Sequence, residues 1–210
     1  MRVLLACEES QAVCTEFRER GHEAFSCDLL DCSGNHPEWH IKGDVLEIIK
    51  EKWDLLIGFP PCTHLAVSGS RHFKNKILDG RQQDAINFFM SLVNAPINKI
   101  AIENPIGIMS SNYRKPDQII HPYYFGDSFS KSTCLWLKNL KPLTHIKESP
   151  LFPNEVTHVD KGEFVTFSSG KKMAKWYNDA AGKKHGHIRS KTFKGIAAAM
   201  ADQWGGALCH

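Results

Sequence analysis

Short apolar runs alternate with helically spaced apolar residues over the first two thirds of the chain. Residues 3–6 predict a strand, and residues 11–20 a helix closed by Gly21. Residues 24–27 predict a second strand ending in Asp28, and residues 44–52 a helix with Asp44 as its N-cap. A buried strand over 55–59 stops at Pro60-Pro61. A helix over 81–93 carries Ala85, Phe88, Phe89 and Leu92 on one face, and a strand over 99–103 stops at Asn104-Pro105. Strands alternating with helices predict an α/β fold: βαβ units with a mainly parallel sheet and helices on both faces. In such sheets ligands bind at the carboxyl ends of the strands. The stretches to inspect are therefore Cys7-Glu8, Asp28, Phe59-Pro60-Pro61-Cys62 and Glu103-Asn104-Pro105.

The last third has a different pattern. Residues 133–138 predict a strand, and residues 156–158 with 163–167 a hairpin turning at Lys161-Gly162. Residues 170–191 are polar, with a net charge of +6 and two aromatics, Trp176 and Tyr177. An amphipathic helix over 192–204 ends at Gly205-Gly206.

The length of 210 residues suits one domain, read here as 1–210, with an ordinary apolar content of 42% and charged content of 23%. No apolar run reaches the roughly 18 residues that span a bilayer. The N-terminal apolar stretch runs into Glu8-Glu9, unlike an export signal. Seven cysteines, an odd count, argue for reduced thiols in the cytoplasm rather than a disulfide framework. The net charge of +3 is compatible with nucleic acid without arguing for it.

Two strand ends carry the chemistry. Cysteine is most often a small buried hydrophobe. Cys62, however, follows two prolines that fix φ and cannot donate to a sheet ladder, so its thiol sits on stiff backbone past a strand end. Glu103 ends an apolar strand, where desolvation raises a carboxyl pKa and lets the protonated form donate a hydrogen bond; a turn carboxylate is the plainer reading. Strand–Pro-Pro-Cys and strand–Glu-Asn, in this order and about forty residues apart, resemble the catalytic motifs of the cytosine-C5 DNA methyltransferases. The similarity is to the short members common in phages and prophages. It spans about residues 1–138 and 189–206.

That resemblance implies a Rossmann-like S-adenosylmethionine-dependent methyltransferase fold, DNA as partner, and a bacterial host cytoplasm. Cys62 would be the nucleophile, Glu103 the donor to the cytosine ring, and Lys131 the cation favouring the thiolate. The cofactor would be held by Ala6, Cys7, Glu8, Ser10, Asp28 (ribose), Asp44 and Val45 (adenine), Phe59 and Pro60. The segment matching the family's glycine-rich first motif has no glycine here. Tyr124-Phe125-Gly126, then Lys131 and Thr133, resemble the family's Gly-Val-Pro-Gln-x-Arg-x-Arg segment. Residues 190–205 resemble its closing helix. Residues 139–188 stand where a much larger target-recognition region is usual. This predicts low sequence specificity, a very short target, or help from a second copy in a homodimer. Protection of DNA from restriction is one purpose such an activity would serve.

The chemistry follows from the residues themselves. Carbon 5 of cytosine is a poor nucleophile, and thiolate addition at C6 makes it enamine-like. A donor near N3 stabilises the charge that develops. Duplex DNA would require the base to leave the stack. For phosphate or base contact the candidates are Arg71, Lys74, Thr133, Lys171, Lys172, Trp176 and Arg189, against the plainer reading of a solvated basic loop. Cys27, Cys32, His36 and His40 have no standard zinc spacing and are read as a loop, so no metal is expected. The rival activities are methylation of free cytosine nucleotides, amino-methylation, and a non-catalytic DNA-binding relative.

Overall fold

The computed structural model describes residues 1–68, 73–147, 155–180 and 192–206. The first half runs β1 (Arg2–Ala6), α1 (Ala12–Glu19), β2 (Glu23–Asp28), β3 (His40–Lys42), α2 (Val45–Ile48), β4 (Leu55–Gly58), α3 (Phe73–Leu78), α4 (Arg81–Val93) and β5 (Lys99–Pro105). Then come α5 (Met109–Asn112), β6 (Gln118–Ile120) and β7 (Thr133–Lys138). The small strands β8 (Ile146–Lys147), β9 (Glu155–Val156), β10 (Phe164–Thr166) and β11 (Lys172–Ala174) lead to α6 (Lys175–Asp179) and α7 (Lys194–Gly205).

The main sheet has the order β3-β2-β1-β4-β5-β7-β6. Strands β1 to β5 are parallel neighbours, whereas β7 runs antiparallel to both β5 and β6. This is the Rossmann-like α/β fold that the sequence predicts. Period-2 alternation divides the core between the two faces. Val3, Leu5, Leu55 and Ile57 pack with Phe17 of α1 and with Ile196, Met200 and Trp204 of α7. Leu4, Ala6, Leu56, Ile100 and Ile102 pack with Phe89 and Leu92 of α4 and with Trp53. Among the described residues no helix is long and apolar enough to cross a membrane.

The predicted elements of the first two thirds stand within a few residues of their places, and Asp44 caps α2 by accepting from Leu46 N at 2.9 Å. The hairpin expected over 156–167 is corrected. β9 pairs with β8 and β10 with β11, so 156–158 and 163–167 belong to different two-stranded sheets. Two-residue and three-residue strands carry too little alternation to reveal their partners. The short elements β3, α3, α5 and β6 escaped the sequence reading for the same reason. The closing helix starts at Lys194, two residues after its predicted start.

Candidate active site

A cavity of about 850 Å³ opens at the carboxyl end of the parallel strands. Its floor is built from the segments after β1, β2, β4 and β5: Cys7, Glu8 and Ser10; Asp28; Phe59, Pro60 and Cys62; and Glu103. Lys131, just before β7, closes one side, and Lys171 of the 139–188 region the other. Ten of the predicted site residues therefore share one space.

Cys62 and Glu103 come from neighbouring strands. β4 and β5 run parallel with Gly58 opposite Ile102, so the residues just past each end emerge side by side. Burial pushes the Cys62 thiol up, and the Glu103 charge adds to this; Lys131 and Lys76 pull it back down. Burial likewise raises Glu103, while Lys131 and a hydrogen bond with Thr133 oppose the rise. Lys131 thus acts on both groups. Its ammonium favours the thiolate while a buried carboxyl beside it favours the neutral acid form.

The cysteine loop is held from below. Asn104, only 1% exposed, donates from Nδ2 to the Pro60 carbonyl at 2.8 Å. This bond locks the Glu-Asn strand end onto the Pro-Pro-Cys strand end. Lys76, buried on α3, donates to the Thr63 carbonyl at 2.6 Å. Leu65 N and Ala66 N donate to the Cys62 carbonyl at 3.0 and 2.9 Å, a single helical turn behind the thiol. Gly107 lies against that turn; a Cβ there would collide with the Leu65 carbonyl. Sequence reasoning missed Gly107, because it belongs to neither the apolar patterns nor the motifs. Asn104 was visible in the motif, but its role was not.

The segment after β1 shows how a loop without glycine makes its turn. Cys7 takes the left-handed region itself, at φ 61°, and so does Gln11 at φ 59°. Such a conformation costs a non-glycine residue about 1 kcal/mol. Cys7 N and Glu8 N both donate to the Cys27 carbonyl, at 2.7 and 3.2 Å, which fixes the turn. The Glu8 carboxylate points at the start of α1, accepting from Val13 N at 2.7 Å and Cys14 N at 3.2 Å. Burial pushes its pKa up to about 8 against these two bonds. Burial, with Asp28 next, also raises the Cys7 thiol. Among predicted cofactor ligands, Glu8 is therefore a helix cap whose carboxylate is engaged.

Other expectations need correction. Ala6 is fully buried in β1 and Val45 packs into the core beneath α2, so neither lines the cavity. Asp44 caps α2 and reaches the site only through its charge on Cys7 and Cys27. The wall beside Asp28 is instead Leu30, which is 62% exposed. Thr133, 3% exposed, supports Glu103 and cannot meet a polyanion. Trp176 anchors its segment: its Nε1 donates to the Ser130 carbonyl at 3.2 Å, and its ring packs edge-on to Phe129 and Phe193. Its neighbour Tyr177 faces the cavity. Lys171, Met173 and Ala174 line the cavity, while Lys172 does not. Lys74 is exposed on α3, off the cavity wall. Arg71 and Arg189 lie outside the described residues. Of the weighed zinc residues, Cys27 is core, His36 stacks on Trp39, and His40 pairs with Ser26 and the Leu30 carbonyl.

No protein-family model matches the chain, and no curated protein matches it. Among solved structures, it is similar to a proposed DNA modification methyltransferase encoded within a prophage, from E. coli. That similarity has 17% identity and a TM-score of 0.44, and covers 65% of this chain and 45% of the other. The chain thus spans less than half the length of that protein.

Proposed function

We propose that this protein is an S-adenosylmethionine-dependent methyltransferase that acts on carbon 5 of cytosine in DNA, with Cys62 as covalent nucleophile. The observation that carries this reading is the convergence of Cys62, Glu103 and Lys131 on one cavity at the carboxyl edge of the sheet. The donor set there suits a nucleoside bearing a positive sulfonium. Asp28 offers a carboxylate and Leu30 an exposed apolar face, and the Cys7–Ser10 turn borders the same space. S-adenosylmethionine would supply an electrophilic methyl group there.

The protein's own groups divide the remaining work. Lys131 and Lys76 favour the Cys62 thiolate, which forms a bond from Sγ to C6 of the ring. Glu103, protonated through burial, donates to N3, where negative charge gathers as the C5–C6 double bond is consumed. Once the methyl group is on C5 and S-adenosylhomocysteine is left, the C5 proton passes to water; its bonding pair re-forms the C5–C6 double bond and the Sγ–C6 pair leaves with Cys62 as the thiolate. Thr133 and Asn104 hold Glu103 and the cysteine loop in register during these changes.

The test is trapping with DNA containing 5-fluorocytosine in the presence of S-adenosylmethionine. Fluorine at C5 blocks the final elimination, so the protein should stay bound through Sγ to C6. A cofactor-dependent adduct, absent in Cys62→Ala, is the expected result. A folded, DNA-binding protein that forms none would overturn the covalent mechanism.

A further inference from the structure

Three histidines and two tyrosines gather off the cavity wall, and nothing in the chemistry above uses them. Tyr124, in the 3₁₀ turn Pro122–Phe125, stacks on His145 and on His158, with ring centroids 5.1 and 4.7 Å away. The two imidazoles lie 4.4 Å from each other. Tyr123 meets Tyr124 and His158 edge-on, and His121 stands 5.2 and 5.3 Å from the two tyrosine rings. Nδ1 of His121 and of His145 is buried with no hydrogen-bond partner among the described residues. Neutral imidazoles pack there as aromatic rings, whereas charged ones lose hydration with nothing to replace it.

The cluster sits where the far side of the cavity is fastened to the turn between β6 and β7. His145 precedes β8 and His158 follows β9. Around them Thr157 N donates to the His145 carbonyl at 3.0 Å, and Val159 N to the Tyr123 carbonyl at 3.0 Å. Thr157 Oγ1 donates to the carbonyls of His145 and Tyr124. Soon after Val159 the chain enters β10, whose partner β11 brings Met173 and Ala174 to the cavity. What loosens the rings therefore loosens that side of the cavity.

We propose that these rings are a pH-sensitive fastening, which holds the β10–β11 side of the cavity in place at neutral pH and releases it as the solution turns acid. An imidazole ordinarily takes its proton near about pH 6.5. Protonation of His145 and His158 would set two like charges 4.4 Å apart, and the Lys161 ammonium already lies 5.3 Å from the Tyr123 ring. The nearby carboxylates are engaged elsewhere: Asp160 accepts from Gly162 N at 2.8 Å, and Asp127 from Gly195 N at 2.7 Å. Behind the turn, Tyr124 and Phe125 pack on the apolar core shared with α7. Burial, and then His158, hold His145 below the ordinary imidazole range; burial, and then Lys161, do the same for His121. Folding thus favours the neutral rings. Their contribution is intact above about pH 6.5 and is lost as pH falls through that value toward the lower pKa of the folded state.

The experiment measures amide hydrogen exchange in the whole chain at about pH 7.5 and about pH 5, as protection relative to the intrinsic rate at each pH. Protection in β10 and β11 should fall about ten-fold or more on acidification, while β1, β4 and β5 keep theirs. In His145→Phe/His158→Phe, which keeps the rings and loses the protons, the fall should shrink to about three-fold or less. A native chain with no such fall, or with equal loss in β1, β4 and β5, would overturn the proposal. So would a double variant that shows the native fall. Should the variant not fold, the imidazole resonances of the native chain decide. His145 titrating below the ordinary value, in step with the loss of protection, supports the fastening; His145 titrating at or above it overturns the fastening. None of these readouts requires methyl transfer, so failure here leaves the reading of the active site untouched.

Discussion

The two walls of the cavity are built to different standards. The inner wall consists of strand ends from a seven-stranded sheet, cross-tied by Asn104 to Pro60 and by Lys76 to Thr63, with Leu65 buried beneath. The outer wall consists of β10, β11 and α6, carrying Lys171, Met173 and Tyr177. It is fastened through Trp176 to Ser130, and through the segment before it, where Val159 N donates to Tyr123 and Ser128 Oγ to Asp160. On the proposed mechanism, the inner wall is the one that must hold Cys62 and Glu103 in place for bond-making. The outer wall is a small unit with a modest core, the kind that opens locally at low cost. The difference predicts that the sheet edge stays fixed where the appended hairpin opens first.

The sharpest way to break this comparison is at the nucleophile. Cys62→Ala should lower methyl transfer by about a thousand-fold or more, while leaving the thermal midpoint nearly unchanged. An activity close to native, measured with labelled cofactor, would place the chemistry elsewhere. Next in size is the tie between the strand ends. Asn104→Ala should cost about 1–3 kcal/mol in denaturant unfolding and reduce turnover by about ten- to a hundred-fold, because the Pro60 carbonyl loses a buried donor. Stability lost without turnover lost would mean that the tie does not position Cys62.

The floor makes a pH-dependent prediction. The Glu8 carboxyl is raised from 4.5 to about 8 in the folded chain. A raised carboxyl pKa favours folding when the group is protonated. Its contribution is thus complete below about pH 4.5 and is lost as pH climbs through about 8, at up to about 1.4 kcal/mol per pH unit. The difference in unfolding free energy between native and Glu8→Gln proteins should change in that window and be flat on either side. A difference that stays constant from pH 4 to pH 9 would show that folding does not shift the Glu8 carboxyl.

The outer wall should respond locally. Trp176→Ala should remove about 1–2 kcal/mol of protection from β10 and β11 in hydrogen exchange, with little change in the sheet. Equal loss across β1, β4 and β5 would make the two walls one cooperative unit. Smallest of all is the contrast between adjacent lysines. Lys171→Ala should weaken DNA binding several-fold and reduce its salt dependence by about one phosphate contact, while Lys172→Ala should do so by less. Equal effects would show that binding reads the charge of this segment and not which lysine faces the cavity.

The fold's first two thirds were legible because β1, β4 and β5 are long enough for their apolar runs and their proline stops to stand out. Cys62 and Glu103 were legible for the same reason, each following a buried strand at the edge where ligands bind. Thr133 and Trp176 were misread because residue type alone does not reveal burial. Trp176 has the composition of a stacking residue, yet its indole closes a gap between Phe129 and Phe193. Pairing among β8 to β11 was illegible because strands of two or three residues take their partners from the surface they dock on.

The amino-acid sequence by itself determined the alternating βαβ order, the strand ends that present a thiol and a carboxyl, and the capping of α2 by Asp44. These depend on neighbours in the chain, through periodicity, proline geometry and local hydrogen bonds. Only the tertiary structure decided that Cys62, Glu103 and Lys131 face one another, that Glu8 turns to its helix, and that His145 and His158 meet at Tyr124. Those relations join residues far apart in sequence, and they are set by sheet register and core packing, which no local pattern encodes.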